Sequence, residues 1–408
     1  MDKIRKRVEE LKTVSPCEIN ALSVEETRRA CVVLSMLAHS YLNGECVEWE
    51  FVAREKGQPQ SQPSASVHDE KSARENLAAS VAVPLNVVST KLGMPQVLCH
   101  AHTDLWNWKL VDESVVGAKR MAISNLEQVS KMTGTSTEKN FHMMVTAMNA
   151  LAGDNLIHRM YHILSHSLDV TCPTSQNRVL SMLVDLESLL REFSTIFSDV
   201  RELVDTDVFY NVYRPLLGGW YPGGIRLMGV APSEGDSSSS AHKIVKFKGP
   251  SAGQSTLIVM LDQLLGVNHF GTAGSFQKEM LGYMPGKHRQ LLVDFGERVK
   301  KYGNLKGYAE NCSASNQARI SGRNRSLLFK FASSDNGSSS SSSVKALPDA
   351  IRQAYKKCLK AFYALRAFHM GVTTEYLIRT DTGTGSSDFR VMLKDMMHNT
   401  KVPIISMR

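Results

Sequence analysis

No apolar run in this chain approaches the ~18 residues that a membrane helix needs. The longest, LIVMLDQLLGV, is interrupted by Asp262. The amino terminus, MDKIRKRVEELKTV, is charged throughout and has no apolar centre, so it does not read as a secretory signal. The cysteines, Cys17, Cys31, Cys46, Cys99, Cys172, Cys312 and Cys358, are odd in number and widely spaced, with no C-x-x-C pair. That excludes a disulfide framework and a zinc module, and fits a reducing compartment. An H-E-x-x-H helix is also missing, and no Ser/His/Asp or Cys/His pair suggests a nucleophile. The net charge of +8 comes without any Lys/Arg cluster interleaved with aromatics, so neither nucleic acid nor a membrane is an expected partner. A soluble, cytoplasmic protein is expected.

What is present is helix. At 408 residues, with 42% hydrophobic residues, the chain can bury a sizeable core. SVEETRRACVVLSMLAHSYLNG opens with Ser23 and Glu26 in capping-box spacing and stops at Gly44. TSTEKNFHMMVTAMNALAG repeats the device with Thr135 and Glu138 and closes at Gly153. SQNRVLSMLVDLESLLREFSTIFSDVRELV reads as a long amphipathic helix, as does LPDAIRQAYKKCLKAFYALRAFHMGVTTEYLIR, with Pro348 in its first turn. Alternating strand patterns are scarce, so the expected fold class is all-α. Polar, low-complexity tracts beginning at Gly57, Ser233 and Ser333 read as surface loops. A boundary near residue 125 would separate a small N-terminal domain (1–125) from a large helical domain (126–408).

One helix carries a chemical question. On a 3.6-residue period, Cys358, Phe362, Leu365, His369, Val372 and Tyr376 form one stripe. A histidine there is either a core residue bonding a backbone carbonyl or a ligand in an apolar wall, as a haem iron needs. Arg366, one turn away, could then pair with a haem propionate. No second histidine or carboxylate follows at i+4, where Thr373 stands, so a bound metal would bring most of its own ligands.

The motifs KGPSAGQS (Lys248–Ser255), YMPGKHR (Tyr283–Arg289), LRAFHMGVTTEYL (Leu365–Leu377) and GTGSSDF (Gly383–Phe389) occur in that order. With FYNVYRPLLGGW (Phe209–Trp220) and NWK (Asn107–Lys109) upstream, the chain resembles the indoleamine 2,3-dioxygenase family. The likeness is strong from Phe209 onward and patchy before it. It implies an all-α fold holding haem b with ferrous iron. It also implies cleavage of the indole C2–C3 bond of L-tryptophan, or a related indoleamine, by O2 to give N-formylkynurenine in the kynurenine pathway. An electron donor would keep the iron ferrous, and a monomer is expected.

The resemblance carries roles onto particular residues. His369 matches the proximal iron ligand, and Asp262 and Arg366 match a supporting ion pair. Phe209 and Arg214 match residues that pack the indole and grip the substrate carboxylate, for which Arg offers a bidentate fork. Ser251, Ala252 and Gly253 match a small-residue loop of the haem pocket. Thr384 and Gly385, in Gly383–Gly385, match a mobile loop over the pocket, which continues here with Ser386 where another Gly is usual. Phe141 matches a pocket aromatic, and either Val145 or Thr146 takes the next position. His142 is expected to point away.

The chain departs most at VLCHAHTDLWNWK. Counting back from Trp108 sets His100 where the family has a pocket tyrosine, and His102 where it has an aspartate. An imidazole there could bond O2 or a polar substrate. The alternative reading is an oxygen-binding or haem-sensing protein on the same fold without tryptophan turnover.

Overall fold

A computed structural model describes residues 2–47, 75–164, 169–220, 223–232, 241–312, 341–377 and 388–406. The fold is all-α. Helices α1 (Asp2–Glu10), α2 (Pro16–Asn20), α3 (Val24–Asn43) and α4 (Ala79–Leu92) come first. Helices α5 (Ser136–Ala152), α6 (Asp154–Ile163) and α7 (Pro173–Ser198) follow. After them come α8 (Thr256–Leu265), α9 (Gly271–Met280), α10 (Gly286–Tyr302), α11 (Ser341–Tyr376) and α12 (Phe389–Ser406). Strands are very short. β1 (Asn76–Leu77) pairs parallel with β4 (Ile225–Leu227), which pairs antiparallel with β5 (Lys243–Val245). β2 (Trp108–Leu110) and β3 (Leu126–Gln128) form an antiparallel pair in register Lys109–Glu127.

The helix starts follow from capping chemistry. Ser23 accepts the Glu26 N–H while Glu26 reaches back to the Ser23 N–H at 2.8 Å, a complete capping box. At α5 the device is only half made. Thr135 accepts the Glu138 N–H, but the buried Glu138 carboxylate turns to the N–H groups of Met132, Thr133 and Gly134 at 2.8–2.9 Å. It thus ties down the loop before the helix by taking three of its backbone donors at once. A second difference concerns α11, which begins at Ser341, so Pro348 lies inside it rather than in its first turn. Only one i→i−4 bond is lost to the missing proline N–H. Serines 341–343 of the third low-complexity tract are helical. The tracts at Gly57 and Ser233 lie outside the described residues.

The core is built where α11 lies along α7 and against α12. Cys358, Phe362, Leu365, Val372 and Tyr376 are all buried, as the stripe requires, and Phe193 of α7 is buried with them. Tyr355 donates to the Leu265 carbonyl at 2.6 Å, tying α11 to the end of α8.

Two of the motifs meet backbone to backbone. Trp220 N–H donates to the Phe247 carbonyl at 2.6 Å. A Cβ on Gly249 would stand 2.0 Å from the Leu217 carbonyl oxygen. Only glycine lets the segment after Arg214 cross the segment leading to Ser251 this closely. The crossing holds two sequence-distant loops at one end of a cavity.

Candidate functional site

The cavity has a volume of about 360 Å³ and a mainly apolar lining, a size usual for small-molecule sites. His369, Arg366, Asp262, Phe141, Phe209, Arg214, Ser251, Ala252, Gly253 and His100 all line it. Thr384, Gly385 and Ser386 lie outside the described residues.

One wall is α11. His369 is half-buried there, with its ring 5.8 Å from that of Phe197. Among the described residues neither ring nitrogen has a hydrogen-bond partner; only the backbone carbonyl of His369 is engaged, by the Thr373 hydroxyl at 2.7 Å. Among the described residues the carbonyl bond expected of a core histidine is not made. Burial, with the Arg366 charge adding to it, lowers its pKa to about 4, so at neutral pH the ring is an uncharged base.

The neighbouring charges are mutually satisfied. Arg366 Nη2 donates to both Asp262 carboxylate oxygens at 2.8 Å, and Nη1 bonds the Thr400 hydroxyl. Asp262 also accepts from Gln277 at 3.1 Å and pairs with His269 Nε2 at 3.0 Å. Both members are buried, so this is an interior ion pair joining α8, α9, α11 and α12, not a surface bridge.

The opposite wall is polar. Asp104 accepts from His100 Nδ1 at 2.8 Å, from His142 Nδ1 at 2.6 Å and from the Thr103 hydroxyl at 2.8 Å. His142 Nε2 in turn meets the Tyr213 hydroxyl. Burial would raise the Asp104 carboxyl, but the His142 and His100 charges and hydrogen bonds outweigh it and hold the group well below the usual carboxylate range. Burial, with Glu138 and Asp104 nearby, pushes Tyr213 well above an ordinary phenol, so it stays a donor. His100 is 5% exposed, and its Nε2 is buried with no hydrogen-bond partner. Its backbone is fixed by Gln254, whose side chain accepts the His100 N–H at 2.9 Å and donates to Gly249 at 3.0 Å.

Phe209 and Arg214 flank a π-helical turn, Phe209–Tyr213, closed by the Arg214 N–H on the Phe209 carbonyl. An i→i+5 turn brings these two residues to one face, which the ordinary helical period would not. Pro215 explains the wide turn. It has no N–H, and its ring would press on the carbonyl four residues back. Phe209 packs its ring 5.1 Å from Phe141 and 5.7 Å from Tyr376. The half-buried Arg214 guanidinium lies 5.4 Å from the Tyr210 ring centroid. A second π-helical turn, Ala101–Leu105, carries Asp104.

The loop at Ser251 forms part of the mouth, where Ala252 is exposed. Ser251 Oγ accepts the Gly253 N–H at 3.2 Å. A Cβ on Gly253 would come within 2.5 Å of the Phe276 ring, so the small residue is required by packing.

A family model described as Indoleamine 2,3-dioxygenase matches residues 1–401. The chain belongs to the indoleamine 2,3-dioxygenase family. It is similar to Indoleamine 2,3-dioxygenase 1 of Rattus norvegicus, 26% identical over 359 residues, which cover 82% of this chain and 74% of that one. It is also similar to Indoleamine 2,3-dioxygenase nanC of Aspergillus nanangensis, 28% identical over 326 residues, covering 74% and 70% respectively. With 6-hydroxytryptophan 2,3-dioxygenase fscD of Fusarium equiseti it shares 25% identity over 319 residues, covering 77% of this chain and 65% of that protein. Enzymes of the indoleamine 2,3-dioxygenase family depend on haem, and the chain is an enzyme of this tryptophan/indoleamine dioxygenase kind, acting on a tryptophan-like substrate with O2. Among the described residues no helix is long and apolar enough to cross a membrane.

In this dioxygenase the polar wall differs from the sequence expectation at two points, His142 and His102, and decides a third that the sequence left open. His142 does not point away; it lines the cavity and bonds Asp104 and Tyr213. Val145 faces the cavity, while Thr146 is committed to the Asp104 carbonyl at 2.9 Å. The carboxylate of this wall is Asp104, because His102 sits behind it, accepting the Cys99 N–H at 2.9 Å and meeting Cys31 Sγ at 3.2 Å. Asp104, Tyr213 and the partners of the Asp262–Arg366 pair, His269, Gln277 and Thr400, have no spacing signal, since each joins the site from a different element.

Proposed function

We propose that this chain cleaves the indole C2–C3 bond of L-tryptophan or a close indoleamine, inserting both atoms of O2 and releasing N-formylkynurenine. The observation that carries the reading is His369: an imidazole held neutral in an apolar wall, with no ring hydrogen bond among the described residues, which is a donor an iron porphyrin could take. The fit is chemical. Arg366 is turned onto Asp262 rather than onto His369. In this reading His369 would hold haem b, and the Asp262–Arg366 pair would steady α11. The haem, when bound and kept ferrous by an external electron donor, supplies the O2 chemistry.

The chain's own work is to orient and to keep dry. Arg214 would take the substrate carboxylate in a charge-assisted pair. Phe141 and Phe209, already in ring contact, would pack the indole plane. Ser251 and Ala252 at the mouth, with Thr384 in the loop beyond, would complete the substrate side. The apolar lining excludes water, so these contacts act at full strength. No proton-transfer residue is assigned.

The test is an absorbance series on haem-loaded, reduced protein under O2 before and after L-tryptophan. A haem band with rising N-formylkynurenine absorbance is expected. A haem band without product would instead support an oxygen-binding or haem-sensing role.

A further inference from the structure

A histidine that ligates a metal is tuned by whatever holds its ring. The usual device is a hydrogen bond from the second ring nitrogen to a carboxylate or a carbonyl. Among the described residues the His369 ring makes no such bond. Asp262, a carboxylate lining the same cavity, is committed to Arg366, Gln277 and His269. What the ring does have is an aromatic neighbour. Phe197, near the end of α7, is 9% exposed and lines the cavity with it. The Phe197 ring centroid lies 5.8 Å from that of His369, with the planes tilted by 37°. It lies 5.3 Å from that of Phe368, edge-on at 73°. Phe368 and His369 are consecutive, so their side chains leave α11 about 100° apart. Rotating α11 about its axis in either sense would press one of them into Phe197 and draw the other away. A single ring thus fixes the helical phase of the ligand.

This contact is itself backed. The Arg201 guanidinium lies 5.1 Å from the Phe368 ring centroid, and Arg201 Nε donates to the Glu375 carboxylate at 3.0 Å. The Tyr376 hydroxyl reaches the Val200 and Val204 carbonyls at 3.0 and 2.8 Å. Arg201 belongs to the short helix Val200–Leu203, which follows α7 directly, whereas Glu375 and Tyr376 stand in the last turn of α11. The stretch 197–204 therefore grips α11 over about two turns, beginning at the ligand.

We propose that Phe197 is the positioning residue of the haem ligand: it sets the plane of the His369 ring, and the Arg201–Glu375 pair keeps that contact seated through Phe368. The inference rests on the reading of His369 as the iron ligand. A ring held in one plane gives one iron–nitrogen bond of one strength, and so one population of sites.

The test is spectroscopic and needs no turnover. Haem-loaded, ferrous protein without O2 is examined by resonance Raman for the iron–histidine stretching band. Haem release to an excess of haem-free globin is timed alongside. The natural chain should show one narrow band. Phe197→Leu keeps the apolar character but loses the flat ring. It should shift or split the band and speed haem release about tenfold, in line with the worth of an aromatic contact. Arg201→Ala removes an exposed pair, so it should broaden the band and speed release only about threefold. Phe197→Tyr keeps the ring and should keep the natural band. A band unmoved in Phe197→Leu overturns the proposal even if haem leaves faster, because a general loosening of the core would do that. A Phe197→Tyr band that matches Phe197→Leu also overturns it, since the ring would not be the cause. A natural chain without any iron–histidine band refutes the ligand reading itself and this proposal with it. A band present there and unmoved in Phe197→Leu removes this proposal alone.

Discussion

The two walls of the cavity handle charge in opposite ways. On the α11 side the charged groups are turned toward one another, Arg366 on Asp262, and the His369 ring that lines the cavity is neutral and, among the described residues, unbonded. On the facing side a carboxylate sits in the wall itself, saturated by two imidazoles and a hydroxyl, with one nitrogen over. The first arrangement suits a soft metal–nitrogen bond in dry surroundings; the second suits discrimination between polar partners. A site that needs both reactivity and choice gains by keeping them on separate helices, because the polar groups that choose would otherwise compete for the ligand nitrogen.

The sharpest way to break the contrast is His369→Ala. Haem binding should be lost altogether, read as cofactor content and as the haem absorbance band, whereas His100→Phe should keep both. Next in size is Asp262→Ala. Stranding the buried Arg366 should destabilise the fold by about 3–5 kcal/mol, measured by denaturant unfolding with fixed slope. Arg214→Ala should leave haem content intact and lower kcat/KM for tryptophan by about two orders of magnitude, as expected for one side of a buried charge pair. Unchanged turnover would remove the carboxylate assignment.

The smallest effect concerns acid. His39 accepts the Leu98 N–H at 3.0 Å and bonds the Leu216 carbonyl at 2.9 Å, so the folded protein binds it as a neutral ring. Burial lowers its pKa from 6.5 to about 4, and that of His102 from 6.5 to about 3. Below pH 6.5 the unfolded chain takes up protons that the folded chain refuses. These groups therefore stabilise the fold fully above that pH, and the contribution falls as pH drops toward 4. The urea midpoint should decline across that window, and His102→Gln should decline less steeply.

How much of this was legible in the sequence depends on the period. The α11 stripe follows 3.6 residues faithfully, so His369 and its apolar neighbours are placed by counting, and family motifs bring Asp262 and Arg366 to them. The facing wall is built on two π-helical turns, where counting fails. His142, next to Phe141 in the chain, was set outside the pocket on a regular helix, yet both side chains line it. Asp104 hid behind a count made from Trp108 through a turn that holds one residue more than an α turn. Pro348 misled in the other direction, since a proline favours a helix start without forbidding an interior position.

The π turn at Phe209–Tyr213 also changes what kinds of genetic lesion the enzyme can absorb. Substitutions between these residues alter a side chain and leave the geometry in place. Losing a single codon there would close the turn to an ordinary α turn, which keeps the pair on one face, whereas gaining one would rotate everything after it by about 100°. Arg214 would swing off the cavity wall although every one of its atoms remained. The length of this segment, and not only its composition, is therefore part of the substrate site.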